Sequence, residues 1–188
     1  MDAFTYLSVL LSIVLGLAVT QLLSGLAGLA RARQRVSMYW PVPVQMVATL
    51  LVTVQVWWAM FGMREVEHWT FASFLIVLMQ TVTVYLMAAF ITPDLSGDGH
   101  IDLREVYFRE ARWFFGSILL ALLVSLAKNI FVSGSLPNPI DLAGHVTFAA
   151  LALTGFILRS DAAHKVIAPL SFLFYSAYIA LLFVTLPQ

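Results

Sequence analysis

The sequence predicts an all-α, polytopic integral membrane protein with six transmembrane helices in one compact bundle. Three observations predict it. Of 188 residues, 61% are apolar and only 11% charged, with a mean hydropathy of +0.92; a soluble domain has about 45–50% and roughly 25%. Six apolar runs each approach the roughly 20 residues that a bilayer-spanning helix needs. The basic residues gather in alternate loops, as the positive-inside rule requires of a multi-pass chain. Too little polar surface exists for a water-soluble, disordered or nucleic-acid-binding protein. The main partner expected is therefore the lipid bilayer of a cell (inner) membrane, and no nucleic acid. Lys+Arg and Asp+Glu balance at ten each, and there is no cysteine for a disulfide, thiolate metal site or nucleophile.

The spans read at about 4–30, 38–63, 70–92, 112–132, 141–159 and 166–186, and the whole chain, 1–188, reads as a single transmembrane domain. The first run begins without a positive charge and is far longer than a signal-peptide core of about 7–15 residues, so it is expected to stay as a span. It carries Ser12, Gly16, Thr20, Ser24 and Gly28, a small residue at every fourth position. Small residues let helix backbones approach closely in lipid. The ridge is expected to pack against another helix of this chain or to form a subunit interface in a homo-oligomer. Ser12–Val19 resembles Ser117–Val124, and Ser73-Phe74-Leu75 resembles Ser171-Phe172-Leu173. Such matches would relate two inverted halves of three spans.

Arg31, Arg33 and Arg35 lie in the first loop, Arg104, Arg109 and Arg112 around the third, and Arg159 and Lys165 at the fifth. That puts eight of ten basic residues on one side, so those loops are expected in the cytoplasm and both termini outside. Trp40 and Trp57 are 17 residues apart, or roughly 26 Å of helix. This spacing sets them at opposite interfaces, where Trp is enriched. Trp58 and Trp69 fall with Trp57, and Trp113 with Trp40.

Polar residues inside the spans are few: Thr20, Gln21, Gln45, Gln55, Gln80, Thr81, Ser125, Lys128, Asn129 and His145 are the main ones. Lys128 lies close enough to the outer interface to extend its amine to water. Asp141 and His145, one turn apart, could pair or bind a metal, or serve as a capping Asp and a satisfied His. His68, His100 and His164 fall in loops, leaving no facing histidine pair for haem.

The third loop differs in kind. Asp94 to Glu105 holds four of the ten acidic residues within twelve positions. Oxygen-bearing residues stand at positions 1, 3 and 5 (Asp94, Ser96, Asp98), Gly99 at 6, and Glu105 at 12. This segment resembles an EF-hand calcium loop. The resemblance implies Ca²⁺ held by Asp94, Ser96, Asp98, the His100 carbonyl and Glu105, with Asp102 at position 9 acting through water. Ile101 would be the apolar position through which such loops pair. Glu105 would close the site from the first turn of a helix reading amphipathically through Leu103, Val106, Tyr107, Ala111 and Phe114 into the fourth span. Three features depart from the pattern: Pro93 disfavours helix at Thr92, only one loop is present, and Ser96 stands where a carboxylate would strengthen binding.

The resemblance implies a calcium-binding membrane protein, such as a calcium-modulated channel or transporter. The alternatives are a calcium-independent transporter of ions or small solutes, with Gln21, Gln55, Gln80 and Asn129 lining a path, and a non-catalytic scaffold or accessory subunit. Enzymatic activity is not expected, because no nucleophile–base pair or acid–base dyad is apparent. Eleven residues separate Asp98-Gly99 from Ala111-Arg112, too many for the CDP-alcohol phosphotransferase signature. Ser133-Gly134-Ser135 sits in a loop rather than at a buried helix start, unlike the serine of a rhomboid protease.

Overall fold

A computed structural model describes residues 3–66, 68–96 and 99–182. The chain is all-α, with six helices long and apolar enough to cross a membrane: α1 (Ala3–Arg31), α2 (Pro41–Ala59, continued by a 3₁₀ segment Met60–Glu65), α3 (Phe71–Ile91), α4 (Leu103–Ser133), α5 (Pro139–Ile157) and α6 (Asp161–Leu182). It is a multi-pass membrane protein.

Local chemistry sets the boundaries. Thr70 and Ser73 form a reciprocal capping box at the start of α3, each backbone N–H donating to the other's hydroxyl at 3.0–3.1 Å. Pro93 holds Thr92 in an extended conformation and ends α3, as the sequence predicts. Asp102 caps α4, its Oδ1 accepting from the Arg104 and Glu105 amides at 2.8 and 3.4 Å. Gly134, at φ +67°, takes the left-handed conformation that closes α4. Asn138 caps α5 by accepting from the Asp141 amide at 2.9 Å, with Pro139 in the first turn. The cap is thus Asn138, not Asp141.

α4 starts nine residues before the predicted fourth span, and α6 five before the sixth. The amphipathic stretch from Leu103 is continuous with the span, and Leu103, Tyr107, Ala111 and Phe114 are all buried. Charged residues at these helix starts hid them from a hydropathy reading. His164, expected in a loop, lies inside α6 for the same reason.

Each neighbouring pair in the circuit α2–α3–α4–α5–α6–α2 packs together, which makes a five-helix ring. α1 lies outside it against α2 and α3. The inward face of α1 is a seam of Leu11, Leu15, Ala18, Leu22, Gly25 and Leu29, spaced alternately by four and three residues until the ladder closes at Leu29. Gly25 marks the close approach: a Cβ there would collide with Thr92 Cγ2 and come within 2.7 Å of Met46 Cε. The predicted small-residue ridge faces elsewhere. Ser12, Gly16, Thr20 and Ser24 are exposed on the outer surface of the bundle, and Gly28 is half-buried near Leu95. The alternative in which the ridge packs within the chain is therefore corrected.

The segments matched in the sequence comparison of the two halves sit in unlike surroundings. Ser12 is exposed, whereas Ser117 is buried and donates to the Phe114 carbonyl. Ser73 caps the start of α3, whereas Ser171 lies well inside α6 and faces the ring interior.

Three loops share one end. Val36–Ser37 pairs in parallel with Ile101–Asp102, and the Arg35 side chain donates to the Leu95 carbonyl at 2.7 Å. Asp161, at the start of α6, accepts from Arg104 at 3.2 Å and Lys165 at 2.7 Å. Half-exposed pairs like these contribute about 0–1 kcal/mol each. The three loops predicted to share a side of the membrane therefore lie together.

Candidate functional site: a polar cavity in the helix ring

Hydrophobic packing leaves a cavity of about 330 Å³ inside the ring, near the lower end of the size range of ligand pockets. Its wall is mostly Val, Met, Phe, Leu and Ala, and each ring helix adds polar groups. α2 supplies Gln45, Thr49 and Gln55, α3 Gln80 and Thr81, and α4 Ser125, Lys128 and Asn129. Asp141 and His145 come from α5, and Ser171, Tyr175 and Tyr178 from α6. Along α2 and its 3₁₀ extension the lining runs from Gln45 to Met63, roughly 29 Å at about 1.5 Å per α-helical and about 2.0 Å per 3₁₀ residue.

The polar groups fall into two sets. At the end where α5 begins, Asp141 is held from two sides. Tyr178 Oη donates to Asp141 Oδ1 at 2.5 Å, and His145 Nδ1 lies 3.2 Å from the same oxygen. The Nδ1 atom is also 2.9 Å from the Asp141 carbonyl, which can only accept, so Nδ1 carries a proton. His145 Nε2 meets Ser125 Oγ at 3.0 Å and ties α5 to α4. Tyr175 donates to Gln55 Oε1 at 2.9 Å and ties α6 to α2. Asp141 and His145 therefore pair with each other and with residues of two neighbouring helices.

In the second set the amides and the amine are not fully paired. Gln45 and Gln80 are 2% and 7% exposed, yet Gln45 Nε2 and Gln80 Oε1 make no hydrogen bond. Thr49 and Thr81 satisfy their hydroxyls on helix carbonyls and add no free donor. Lys128 lines the cavity and is partly exposed. Among the described residues no hydrogen bond or ion pair holds its amine, and Asp141 acts on it only through space.

Of the path residues predicted from sequence, Gln55, Gln80 and Asn129 line this cavity; Gln21, on the helix outside the ring, does not. Tyr175 and Tyr178 were missed. One turn apart in an otherwise apolar span, they were the available signal.

The calcium-loop residues lie at the opposite end. Asp94 Oδ1 accepts from the Ser96 hydroxyl at 2.5 Å and its amide at 2.9 Å, which holds the Asp94 carboxyl below the usual carboxylate range. The His100 ring meets Ser37 Oγ at 2.8 Å. Asp102 caps α4, and Glu105 stands in its first turn, as predicted. Ile101 pairs with Val36 of this chain. Asp98 lies outside the described residues. Among the described residues, no group of three or more His, Asp or Glu is placed to hold a metal ion.

No protein-family model matches the chain, and no curated protein or solved structure matches it significantly.

Proposed function

We propose that this protein binds a small polar solute in the cavity of its helix ring, as a transporter or channel of six spans. One observation carries this: two amide side chains more than nine-tenths buried, Gln45 and Gln80, line a single cavity, and each has a buried polar atom, Gln45 Nε2 and Gln80 Oε1, without a hydrogen bond. An unmade buried hydrogen bond costs about 1–3 kcal/mol, so a sequence that retains two of them keeps this cavity wall polar at a cost to stability. Eight basic residues at the far end put the Lys128 end on the non-cytoplasmic side by the positive-inside rule, and solute would enter there. The test is thermal stabilisation of purified protein by a panel of small solutes, followed by flux in liposomes. Ala121→Leu, which adds bulk to the cavity wall, is expected to abolish both effects. Stabilisation by no solute, with no flux, sinks the proposal and favours a scaffold.

We also propose that loop 94–105 binds Ca²⁺. Two features support this: Asp94 is turned and ionised at the loop's start, and Glu105 occupies the first turn of α4 at its end. The pairing of Ile101 with Val36 places any change in the loop next to the start of α2. Calcium titration of the purified protein, with Asp94→Ala and Glu105→Gln alongside, tests it; the same weak, non-saturating signal from all three would end the idea.

A further inference from the structure

We infer that the occupant of the cavity is a small organic monoanion, a carboxylate on an apolar body, with its charged end on Lys128. This rests on the cavity being a solute site. Charge decides the first part. Two opposite charges face the cavity, and they are not equally satisfied. Asp141 is hydrogen-bonded by His145 and Tyr178, whereas the Lys128 amine has neither a hydrogen bond nor an ion pair among the described residues. A cation facing a largely apolar enclosure is costly until an anion joins it. A cationic ligand would find its natural counter-charge already engaged and Lys128 repelling it.

The rest of the wall shapes the ligand body. Val52, Val77, Met87 and Phe148 line the same space, so a bare inorganic anion would leave hydrocarbon surface uncovered. The Gln45 and Gln80 amides add polar capacity, donor and acceptor, to the same wall. The same anionic chemistry comes from a free acid or from an anionic lipid entering between helices, and the experiment separates the two.

The probes are hexanoate, hexanamide, hexylamine and 6-aminohexanoate, titrated against the melting temperature of the full chain in phosphatidylcholine nanodiscs. Hexanoate is expected to stabilise saturably and to bind at least about tenfold more tightly than the amide, amine or zwitterion. Lys128→Arg should keep this preference, while Lys128→Met should lose it by a similar factor. In nanodiscs containing phosphatidylglycerol, an unchanged hexanoate midpoint assigns the site to a free acid, and competition assigns it to the lipid. Either result supports an anion site. Equal binding of hexanamide or hexylamine overturns the anion assignment and leaves the solute cavity standing. Binding of no probe, with Ala121→Leu behaving as wild type, overturns both. The wild-type preference alone decides the matter if a Lys128 variant fails to fold.

Discussion

Tyr107 and His164 share a buried hydrogen bond of 2.7 Å that joins α4 to α6. The imidazole is 1% exposed, and its other nitrogen, Nε2, lies 2.7 Å from the Leu158 carbonyl. A carbonyl only accepts, so Nε2 carries a proton and the neutral ring accepts the Tyr107 hydroxyl at Nδ1. Tyr107, Phe108 and Phe115 meet the ring edge-on or steeply tilted, with centroids 4.9–5.4 Å away. A polar side chain thus becomes a core element at the end of the bundle that carries the calcium-like loop.

Removing that ring should therefore cost as much as removing a large apolar core residue. His164→Ala leaves two buried polar groups without partners and opens a cavity, so a loss of about 3–4 kcal/mol is expected. Tyr107→Phe leaves only Nδ1 unsatisfied and should cost about 1–2 kcal/mol. Denaturant titration in detergent measures both. Equal, small effects would mean that the hydrogen bond carries no weight.

His164 also shows where the sequence was legible and where it was not. Six runs of hydrocarbon announce six helices, because lipid leaves the backbone no partner but itself. The stop at Pro93 is local chemistry; so are the caps at Asp102 and Asn138, but the sequence offers Asp141 as readily as Asn138 and gives Asp102 to the calcium-like loop. Which face of α1 turns inward is not: the small residues suggest one face, while the Leu ladder from Leu11 to Leu29 occupies the other and is the one buried. The cavity residues come from five helices and are brought together only by the ring. Gln80 was visible as a polar residue in a span, but its lack of a partner depends on what packs around it.

If the calcium proposal holds, the loop should bind Ca²⁺ with a single saturable step that Glu105→Gln weakens by at least about tenfold, since it removes a bidentate ligand. The acid limit follows from Asp94. Ser96 lowers its folded pKa, so its charge persists below the usual carboxylate titration, near 3.9. Any stability it adds is full above that value and is lost as pH falls through the lowered one. Asp94 should therefore not limit binding at pH 5. Equilibrium dialysis with radioactive calcium at pH 7 and 5 checks the affinity and the pH range.

Two glycines on α1 should respond oppositely to alanine. Gly25→Ala drives a methyl into Thr92 and Met46 and should cost about 1–3 kcal/mol. Gly16 has nothing within 4 Å, so Gly16→Ala should be neutral or stabilise by up to about 1 kcal/mol. The larger Gly16→Leu also tests whether the exposed ridge pairs with a second copy. Unfolding of the monomer should be unchanged, while cross-linking between copies in liposomes should fall. Unaltered cross-linking, or none in wild type, would remove the ridge as an oligomer interface.

The buried amides lead to the reverse of the usual outcome for a core substitution. Gln45→Met and Gln80→Leu keep most of the side-chain volume and remove a polar atom that has no partner in the protein. Each is expected to raise the stability of the solute-free protein by about 1–2 kcal/mol, while weakening the stabilisation by whichever polar solute of the panel binds the cavity. A gain in stability together with a loss of binding is what a site kept polar for its ligand should show. Thr49→Val, on the same cavity wall, serves as the control, because the Thr49 hydroxyl already donates to the Gln45 carbonyl at 2.8 Å. It should leave binding intact and change stability by less than about 1 kcal/mol. Should Gln45→Met and Gln80→Leu instead destabilise the free protein as a cavity-forming mutation does, the amides hold the ring together and the ligand must be sought elsewhere.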